Sequence, residues 1–149
     1  MAIERTLAII KPDAMARGLA DKILARIRRE GFKVVAQKTA ALSKKQAEGF
    51  YAVHRGKPFF APLTDFMSSG QVVVVVLEAE NAIARWREVM GATDPAQAAP
   101  GTLWREFGSS VQNNCTHGSD APETAAFEIG YFFSAHELLR PEGRPAPGA

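Results

Sequence analysis

The sequence has a single cysteine, Cys115, in a chain of 149 residues. One cysteine excludes an intramolecular disulfide and is typical of a reducing compartment, so we expect a cytoplasmic protein. Histidine is nearly as scarce, and of the three histidines only His117 lies close to the cysteine in sequence. A structural zinc site needs four ligands, so this pair is a weak candidate and no metal site made by the protein alone is predicted.

Strong net charge and long apolar runs are also lacking. The formal net charge is +2, and the one compact basic group, Arg26, Arg28 and Arg29, is typical of a solvated helix face rather than a nucleic-acid surface. The longest apolar run, at 72–77, is far too short to span a bilayer, and no basic stretch leads into an apolar targeting core at the amino end. We therefore expect no membrane partner and no specific nucleic-acid partner.

What the sequence contains is an alternation of short apolar strands with amphipathic helices, in a length that suits one domain. Residues 72–77 are continuously apolar, which predicts a strand buried on both faces at the centre of a sheet. The alternation predicts an α/β sandwich in which helices cover a small sheet. Strands are predicted at 5–10, 33–42 and 72–77, and helices at 21–30, 44–51, 58–67, 81–90 and after Asp120.

Local signals set several boundaries. Ser43 and Gln46 have the spacing of a capping box. The first strand is expected to end in a loop at 11–13, and the last helix is expected to carry Glu123 at its third position. The long segment at 92–112 is typical of a functional loop. We expect one domain at 1–139 and a flexible Pro/Gly-rich tail at 140–149.

The segment NNCTHGSD, at 113–120, places His117 among small polar residues ahead of a predicted helix. Histidine titrates near neutrality, and a carboxylate that fixes its tautomer leaves the other ring nitrogen free to attack. Glu128, in the helix that follows, is the candidate carboxylate. Two alternatives stay open: His117 satisfies a backbone carbonyl in a turn, or it belongs to a Ser/His/Asp hydrolase with Ser119 and Asp120, although the sequence has no GxSxG segment.

Other candidate positions have both a functional and an ordinary interpretation. Lys11 follows a buried strand and can reach a phosphate in a cleft, but the ordinary interpretation, a solvated lysine at a strand end, is favoured. Phe59 and Phe60 are more typical of a core than of a stacking surface. Arg87, on a predicted helix, is typical of a surface ion pair.

Four segments together resemble the nucleoside diphosphate kinase family: TLAIIKPDA, GFYAVHRGKPFF, GATDPAQAAPGT and NNCTHGSD. The resemblance runs in register from about Arg5 to Phe133. It implies a ferredoxin-like βαββαβ sandwich, an α+β fold in which helices cover a four-stranded antiparallel sheet and a helical pair is inserted between the second and third strands. It also implies ping-pong transfer of a γ-phosphoryl group from a nucleoside triphosphate such as ATP to a nucleoside diphosphate such as GDP, through a phosphohistidine at His117.

The resemblance further assigns roles to individual residues. Near the histidine, Glu128 would orient the ring, Ser119 would support Glu128, and Tyr51 would donate a hydrogen bond to the moving phosphoryl group. The cofactor would be Mg2+, held mainly by the nucleotide phosphates rather than by protein carboxylates. The nucleotide would be bound through its base by Phe59, Leu63 and Val111, through its ribose by Lys11 and Asn114, and through its phosphates by Arg87 and Thr93, with Lys11 also near the transferred group.

One position departs from the family pattern: Trp104 stands where the family has a phosphate-binding arginine, and Arg105 follows one position later. Loss of such a charge-assisted contact costs about 1.5–3 kcal/mol, unless a local shift lets Arg105 replace it. The departure motivates an alternative function, a nucleotide-binding regulatory protein with weakened turnover. The resemblance also implies a homo-oligomer, either a tetramer or a hexamer.

Overall fold

The computed structural model describes residues 3–91, 103 and 116–138. Four strands form one sheet, and helices cover both of its faces. The strands are β1 (Ile3–Ile10), β2 (Lys33–Ala41), β3 (Gln71–Glu80) and β4 (Thr116–Gly118). The helices are α1 (Pro12–Ala16), α2 (Ala20–Arg29), α3 (Lys44–Phe50), α4 (Phe60–Met67), α5 (Ala82–Met90) and α6 (Pro122–Phe132), with short 3-10 helices at Ala52–His54 and His136–Leu138.

The sheet is antiparallel throughout, with the strand order β2-β3-β1-β4. β1 pairs with β3 on one side and with β4 on the other, which aligns Ile9 with His117. Helices connect β1 to β2, β2 to β3, and β3 to β4, and the pair α3 and α4 is inserted between β2 and β3. This is the ferredoxin-like βαββαβ arrangement, so the predicted α+β fold is confirmed.

β3 separates two apolar layers, as the continuous apolar run predicts. Successive side chains of a strand point to opposite faces, and every residue from 72 to 79 is buried. One layer joins β3 to α2 and α5, and contains Val73, Val75, Leu77, Ile23, Ile27, Trp86 and Met90. The other joins β3 to α3, α4 and α6, and contains Val72, Val74, Val76, Phe50, Met67, Ala125 and Ile129.

β1 and β3 both extend beyond the predicted strands, and two buried charged residues pair inside the sheet. Arg5 lies opposite Glu78 in the register, and its Nε donates to the Glu78 carboxylate at 3.1 Å. Nη2 of Arg5 also donates to the carbonyl oxygen of Leu138 at 3.1 Å. The ion pair therefore joins the two central strands to the 3-10 helix after α6.

Prolines account for two of the helix starts that the sequence analysis placed wrongly. The loop expected at 11–13 is wrong, because α1 begins at Pro12, whose fixed φ and missing N–H suit a first helical position. Ala121 is the extended N-cap of α6, since a residue before proline is disfavoured in the helical region. Glu123 consequently lies at the second helical position rather than the third. α4 begins at Phe60, two residues after the predicted start.

Other boundaries agree with the sequence. The N–H of Gln46 donates to Ser43 Oγ at 3.1 Å, and the N–H of Ser43 donates to Gln46 Oε1 at 2.9 Å, which confirms the capping box of α3. The tail at 140–149 and, apart from Leu103, the loop at 92–112 lie outside the described residues. No helix in the described part of the chain is long and apolar enough to cross a membrane.

Candidate active site

His117 lies on the short edge strand β4 and is fixed there from two sides. Its register partner is Ile9 of β1, so its side chain shares the face of the sheet that α3 and α6 cover. On the opposite face, Nε1 of Trp86 donates to the His117 carbonyl oxygen at 3.1 Å. A Cβ added to Gly118 would lie 2.5 Å from Trp86 Cδ1 and 2.6 Å from Met90 Cε. Glycine after the histidine therefore lets β4 lie directly against α5.

A chain of hydrogen bonds holds the His117 imidazole. Nε2 of His117 lies 2.9 Å from Glu128 Oε1, and the Ser119 hydroxyl donates to the same oxygen at 2.8 Å. Ser119 Oγ in turn accepts from the backbone N–H of Leu7 at 3.2 Å. Glu128 is 7% exposed and Ser119 is 1% exposed, so little water competes for these bonds. The sequence-predicted pair of His117 and Glu128 is brought together by β4 and α6.

The hydrogen bond to Glu128 sets the chemistry of the ring. A carboxylate accepts, so Nε2 carries the proton and Nδ1 keeps a lone pair that can attack an electrophile. His117 does not merely satisfy a backbone carbonyl, because its Nε2 bonds a side-chain carboxylate. The hydrolase alternative is wrong, since the Ser119 hydroxyl donates to Glu128 rather than to the histidine.

Two aromatic rings form the wall beside the histidine. The centroid of Phe50 lies 5.5 Å and that of Tyr51 lies 6.1 Å from the His117 ring, both in edge-to-face orientation. The Tyr51 hydroxyl is buried and makes no hydrogen bond to any residue that the structure describes. Burial, and secondarily the charge of Glu128, raises the pKa of Tyr51 above its ordinary value. Tyr51 therefore remains a neutral phenol whose O–H is available as a donor.

Lys11 is buried at the end of β1, next to the first residues of β4. Its residue exposure is 7%, and the preceding residue, Ile10, is paired with Thr116. The interpretation of Lys11 as a solvated strand-end lysine is therefore wrong. A buried ammonium needs anionic or polar partners. Lys11 directly follows β1, the strand that pairs with the strand of His117.

The segment between α3 and α4 presents a second aromatic surface. Phe59 is 46% exposed at the N-cap of α4, whereas Phe60 packs partly buried against the core, so the core interpretation holds only for Phe60. Leu63, one turn further along α4, is also partly buried. An exposed ring with an aliphatic neighbour on the same helix face can stack on a flat ligand.

His54 is a site residue that the sequence analysis missed. Its ring stacks on Tyr51 at 6.3 Å and meets Phe59 edge-on at 5.1 Å. Burial and then the Lys57 ammonium, 3.3 Å from Nδ1, lower the pKa of His54, and the charges of Asp120 and Glu128 oppose them. The spacing of Tyr51 and His54 by three residues was the available signal, because such a spacing places two side chains on one side of a helical turn.

Arg87 is exposed in the last turn of α5, the helix that packs against β4. Within the described part of the chain it makes no ion pair, so the surface ion pair expected for it is not found there. Six positions named by the sequence analysis lie outside the described residues, namely Thr93, Trp104, Arg105, Val111, Asn114 and Cys115.

Comparisons with known proteins agree with one another. A sequence model of the family "Nucleoside diphosphate kinase" matches residues 4–138. The nucleoside diphosphate kinases of Syntrophotalea carbinolica and Desulfotalea psychrophila are 66% and 64% identical to this chain, and each match covers 92% of this chain and 100% of the relative.

Solved structures give the same relationship. The nucleoside diphosphate kinase of Aquifex aeolicus superposes with a TM-score of 0.91 at 48% identity, covering 93% of this chain and 100% of that one. A halophilic nucleoside diphosphate kinase from Halobacterium salinarum, in complex with CDP, superposes with a TM-score of 0.88 at 39% identity, covering 92% of this chain and 91% of that one.

Proposed function

Since this chain belongs to the nucleoside diphosphate kinase family, we propose that it carries the transferred phosphoryl group on His117. Family membership establishes an enzyme that transfers phosphoryl groups between nucleotides. The covalent intermediate and the residues that form it are the proposal. The observation that carries it is the hydrogen bond of 2.9 Å between His117 Nε2 and Glu128, because it leaves Nδ1 as the nucleophile.

The proposed reaction has two balanced halves. In the first, the Nδ1 lone pair attacks the γ-phosphorus of a nucleoside triphosphate, the bond from that phosphorus to the bridging oxygen breaks, and the nucleoside diphosphate leaves with the electron pair. In the second, a terminal oxygen of another nucleoside diphosphate attacks the phosphohistidine, and the P–N electron pair returns to Nδ1. Nε2 keeps its proton on the Glu128 side throughout, so one tautomer serves both halves.

Residues around the ring position the moving group. The neutral Tyr51 hydroxyl would donate to an oxygen of the phosphoryl group, and the Lys11 ammonium would offset its charge. Ser119 would act on the carboxylate, since its hydroxyl donates to Glu128 at 2.8 Å. Phosphoryl transfer depends mainly on positioning and charge stabilisation, and these side chains would contribute to both.

The nucleotide would bind across the α3–α4 connection. Phe59 and Leu63 would contact the base, with Val111 opposite, and a clamp that uses the π face discriminates little among bases. Lys11 and Asn114 would hold the ribose, and Arg87, Thr93 and Arg105 the phosphates. The CDP complex of the Halobacterium relative supports a nucleoside diphosphate as ligand.

The residues near His117 fit a magnesium ion that enters with the nucleotide. The described residues include no group of three or more His, Cys, Asp or Glu side chains that could hold a metal ion. Mg2+ binds phosphate oxygens readily and keeps few protein ligands, so the nucleotide phosphates would supply most of its coordination. When bound, the ion would neutralise charge on the phosphates.

Two further expectations remain proposals. We propose a homo-oligomer, a tetramer or hexamer, in the cytoplasm; sedimentation would measure the first and fractionation the second. The regulatory alternative, motivated by Trp104, gains no support from the relatives, which carry the enzyme's name. It is not proposed.

The direct test is incubation of the protein with magnesium and γ-labelled ATP, followed by a chase with GDP. We expect label that is lost in acid, survives base and moves to GTP. His117→Ala should take up none, whereas His136→Ala, which removes an exposed histidine on the C-terminal 3-10 helix, should label normally. Label retained by His117→Ala, or label that does not move to GTP, would contradict the mechanism.

A further inference from the structure

α3 and α4 differ in how their first turns are held. α3 begins with a capping box, and its Gln46 carbonyl oxygen accepts a hydrogen bond of 2.8 Å from the Tyr131 hydroxyl. α4 packs Met67 and three partly buried apolar side chains against the core, but its start has no side-chain cap. Phe59 is the N-cap of α4 and Leu63 lies one turn further, so the proposed base contacts are at the end of the helix that has no cap of its own.

Lys44, in the first turn of α3, bridges the two helices. Its Nζ donates to three oxygens of α4: Thr64 Oγ1 at 2.7 Å, the Ala61 carbonyl at 3.1 Å, and the Asp65 carboxylate. The Thr64 hydroxyl, in a fully buried residue, donates onward to the Phe60 carbonyl oxygen at 2.9 Å. The bridge thus reaches the first turn of α4, directly beside Phe59.

The exposure of the bridge limits what it can do for stability. The side chains of Lys44 and Asp65 are 40% and 71% exposed, and exposed ion pairs contribute little to the free energy of unfolding. The bonds to Thr64 and Ala61 fix direction as well as distance, because three acceptors converge on one ammonium group. The expected consequence of losing the bridge is a displaced α4 in a folded protein.

We propose that Lys44 is a positioning residue for nucleotide binding, which holds Phe59 and Leu63 at the correct distance from His117. This inference rests on the proposed contact of Phe59 and Leu63 with the base. Lys44 touches neither substrate nor histidine, and acts only through α4. Its loss weakens binding of ligands that have a base and leaves binding of the phosphate groups alone unchanged.

The test compares Lys44→Met with Lys45→Met, which removes the neighbouring exposed lysine. Binding of ADP and of inorganic pyrophosphate, each with magnesium, is measured by calorimetry. We expect Lys44→Met to raise the ADP dissociation constant about two- to tenfold, the factor that one hydrogen bond is worth. The pyrophosphate dissociation constant of Lys44→Met should stay within about twofold of the wild-type value, which we take as no effect. The ADP and pyrophosphate dissociation constants of Lys45→Met should stay within the same limit.

Charge reversal provides the rescue. Lys44→Glu alone places two carboxylates together and should weaken ADP binding at least as much as Lys44→Met. Lys44→Glu combined with Asp65→Lys restores an ion pair and should recover most of the affinity for ADP.

An unchanged ADP dissociation constant in Lys44→Met, or an equal loss of pyrophosphate affinity, would overturn the inference. These binding constants do not depend on a phosphohistidine, whereas failure of the proposed mechanism would appear as a wild-type protein that ATP does not label.

Discussion

At the scale of single residues, burial changes the protonation chemistry of side chains in the site. Tyr51 is surrounded by Phe50, His54 and His117, and its hydroxyl makes no hydrogen bond with the described part of the chain. Burial raises its pKa from the ordinary value of 10.0, and the charge of Glu128 adds to the effect. The protein thus keeps a phenol O–H beside the histidine at neutral pH.

The raised pKa predicts how stability depends on pH. Above about pH 10 the unfolded chain loses the Tyr51 proton while the folded protein retains it, so the free energy of unfolding falls as pH rises toward the folded pKa. We expect the wild type to lose up to about 1.4 kcal/mol per pH unit more than Tyr51→Phe over this range. Denaturant titrations from pH 8 to 11.5 measure the difference. If the free energies of unfolding of the wild type and Tyr51→Phe changed in parallel above pH 10, the result would contradict the burial of the Tyr51 hydroxyl.

Gly118 is a residue whose lack of a side chain positions the nucleophile. An added Cβ would overlap the fully buried Trp86, so Gly118→Ala must displace β4 or α5. We expect a loss of about 1–3 kcal/mol of unfolding free energy, as for other overpacked cores. Because His117 is the adjacent residue, turnover should fall as well.

The control is Gly130→Ala, in the exposed part of α6. Nothing lies within 4 Å of a Cβ at this position, and alanine favours a helix over glycine by about 1 kcal/mol. Gly130→Ala should therefore be neutral or stabilising. Equal stability and turnover for Gly118→Ala and wild type, measured by denaturation and steady-state kinetics, would argue against the tight contact of β4 with α5.

At the scale of elements, α3 and α6 meet through a glycine and a tyrosine hydroxyl. A Cβ at Gly49 would lie 2.5 Å from Tyr131 Oη but 3.3 Å from the ring carbon that bears it. Gly49→Ala should therefore displace the hydroxyl and its bond to Gln46, which offsets the gain of about 1 kcal/mol that alanine gives in a helix.

A double-mutant cycle isolates this contact. In a Tyr131→Phe background the hydroxyl is already absent, so Gly49→Ala should there stabilise the protein by about 1 kcal/mol more than it does in the wild type. Chemical denaturation of the four proteins gives the coupling energy. An identical effect of Gly49→Ala in both backgrounds would show that the two elements do not meet through the hydroxyl.

The elements themselves were largely predictable, and their contacts were not. The continuous apolar run at 72–77 indicated a central strand, and Ser43 with Gln46 indicated the start of α3, because both signals are local in sequence. α1 was missed because a helix of five residues that begins with a proline carries no helical periodicity. The Lys44 bridge and the Gly49 contact join residues of different elements, so no local pattern reports them.

The site residues also divide into those that have a local sequence signal and those that depend on contacts between elements. The residues alone pointed to His117 and Glu128, whereas Tyr51 and the functional role of Lys11 came from the resemblance. The residues alone favoured a solvated Lys11, because burial at a strand end depends on the neighbouring strand. His54 was missed because its spacing of three residues from Tyr51 is informative only when the helical turn at Ala52–His54 is known. The buried partners of a side chain become visible only when the sheet order is known.

At the scale of the whole molecule, the buried Arg5–Glu78 pair joins the central strands to the end of the described fold. Removing one partner of such a pair leaves an uncompensated charge, which costs about 3–5 kcal/mol, whereas replacing both with apolar residues is often nearly neutral. We therefore expect Glu78→Leu to be strongly destabilising and Arg5→Leu with Glu78→Leu to recover most of the loss.

Glu80→Leu is the matched control, because Glu80 is exposed at the end of the same strand, opposite Ile3. Its effect on the midpoint of denaturant unfolding should be small. If Glu78→Leu were no more destabilising than Glu80→Leu, the buried ion pair would not be part of the folded structure.

The central claim is that Glu128 holds Nε2 of His117 and so selects Nδ1 as the nucleophile. Phosphorus-31 NMR of the protein phosphorylated with ATP, denatured in base and compared with phosphohistidine standards, tests this claim most directly. The structure predicts one species, Nδ1-phosphohistidine, located at His117 by mass spectrometry of its peptide. Nε2-phosphohistidine, or phosphate on Ser119, would contradict it.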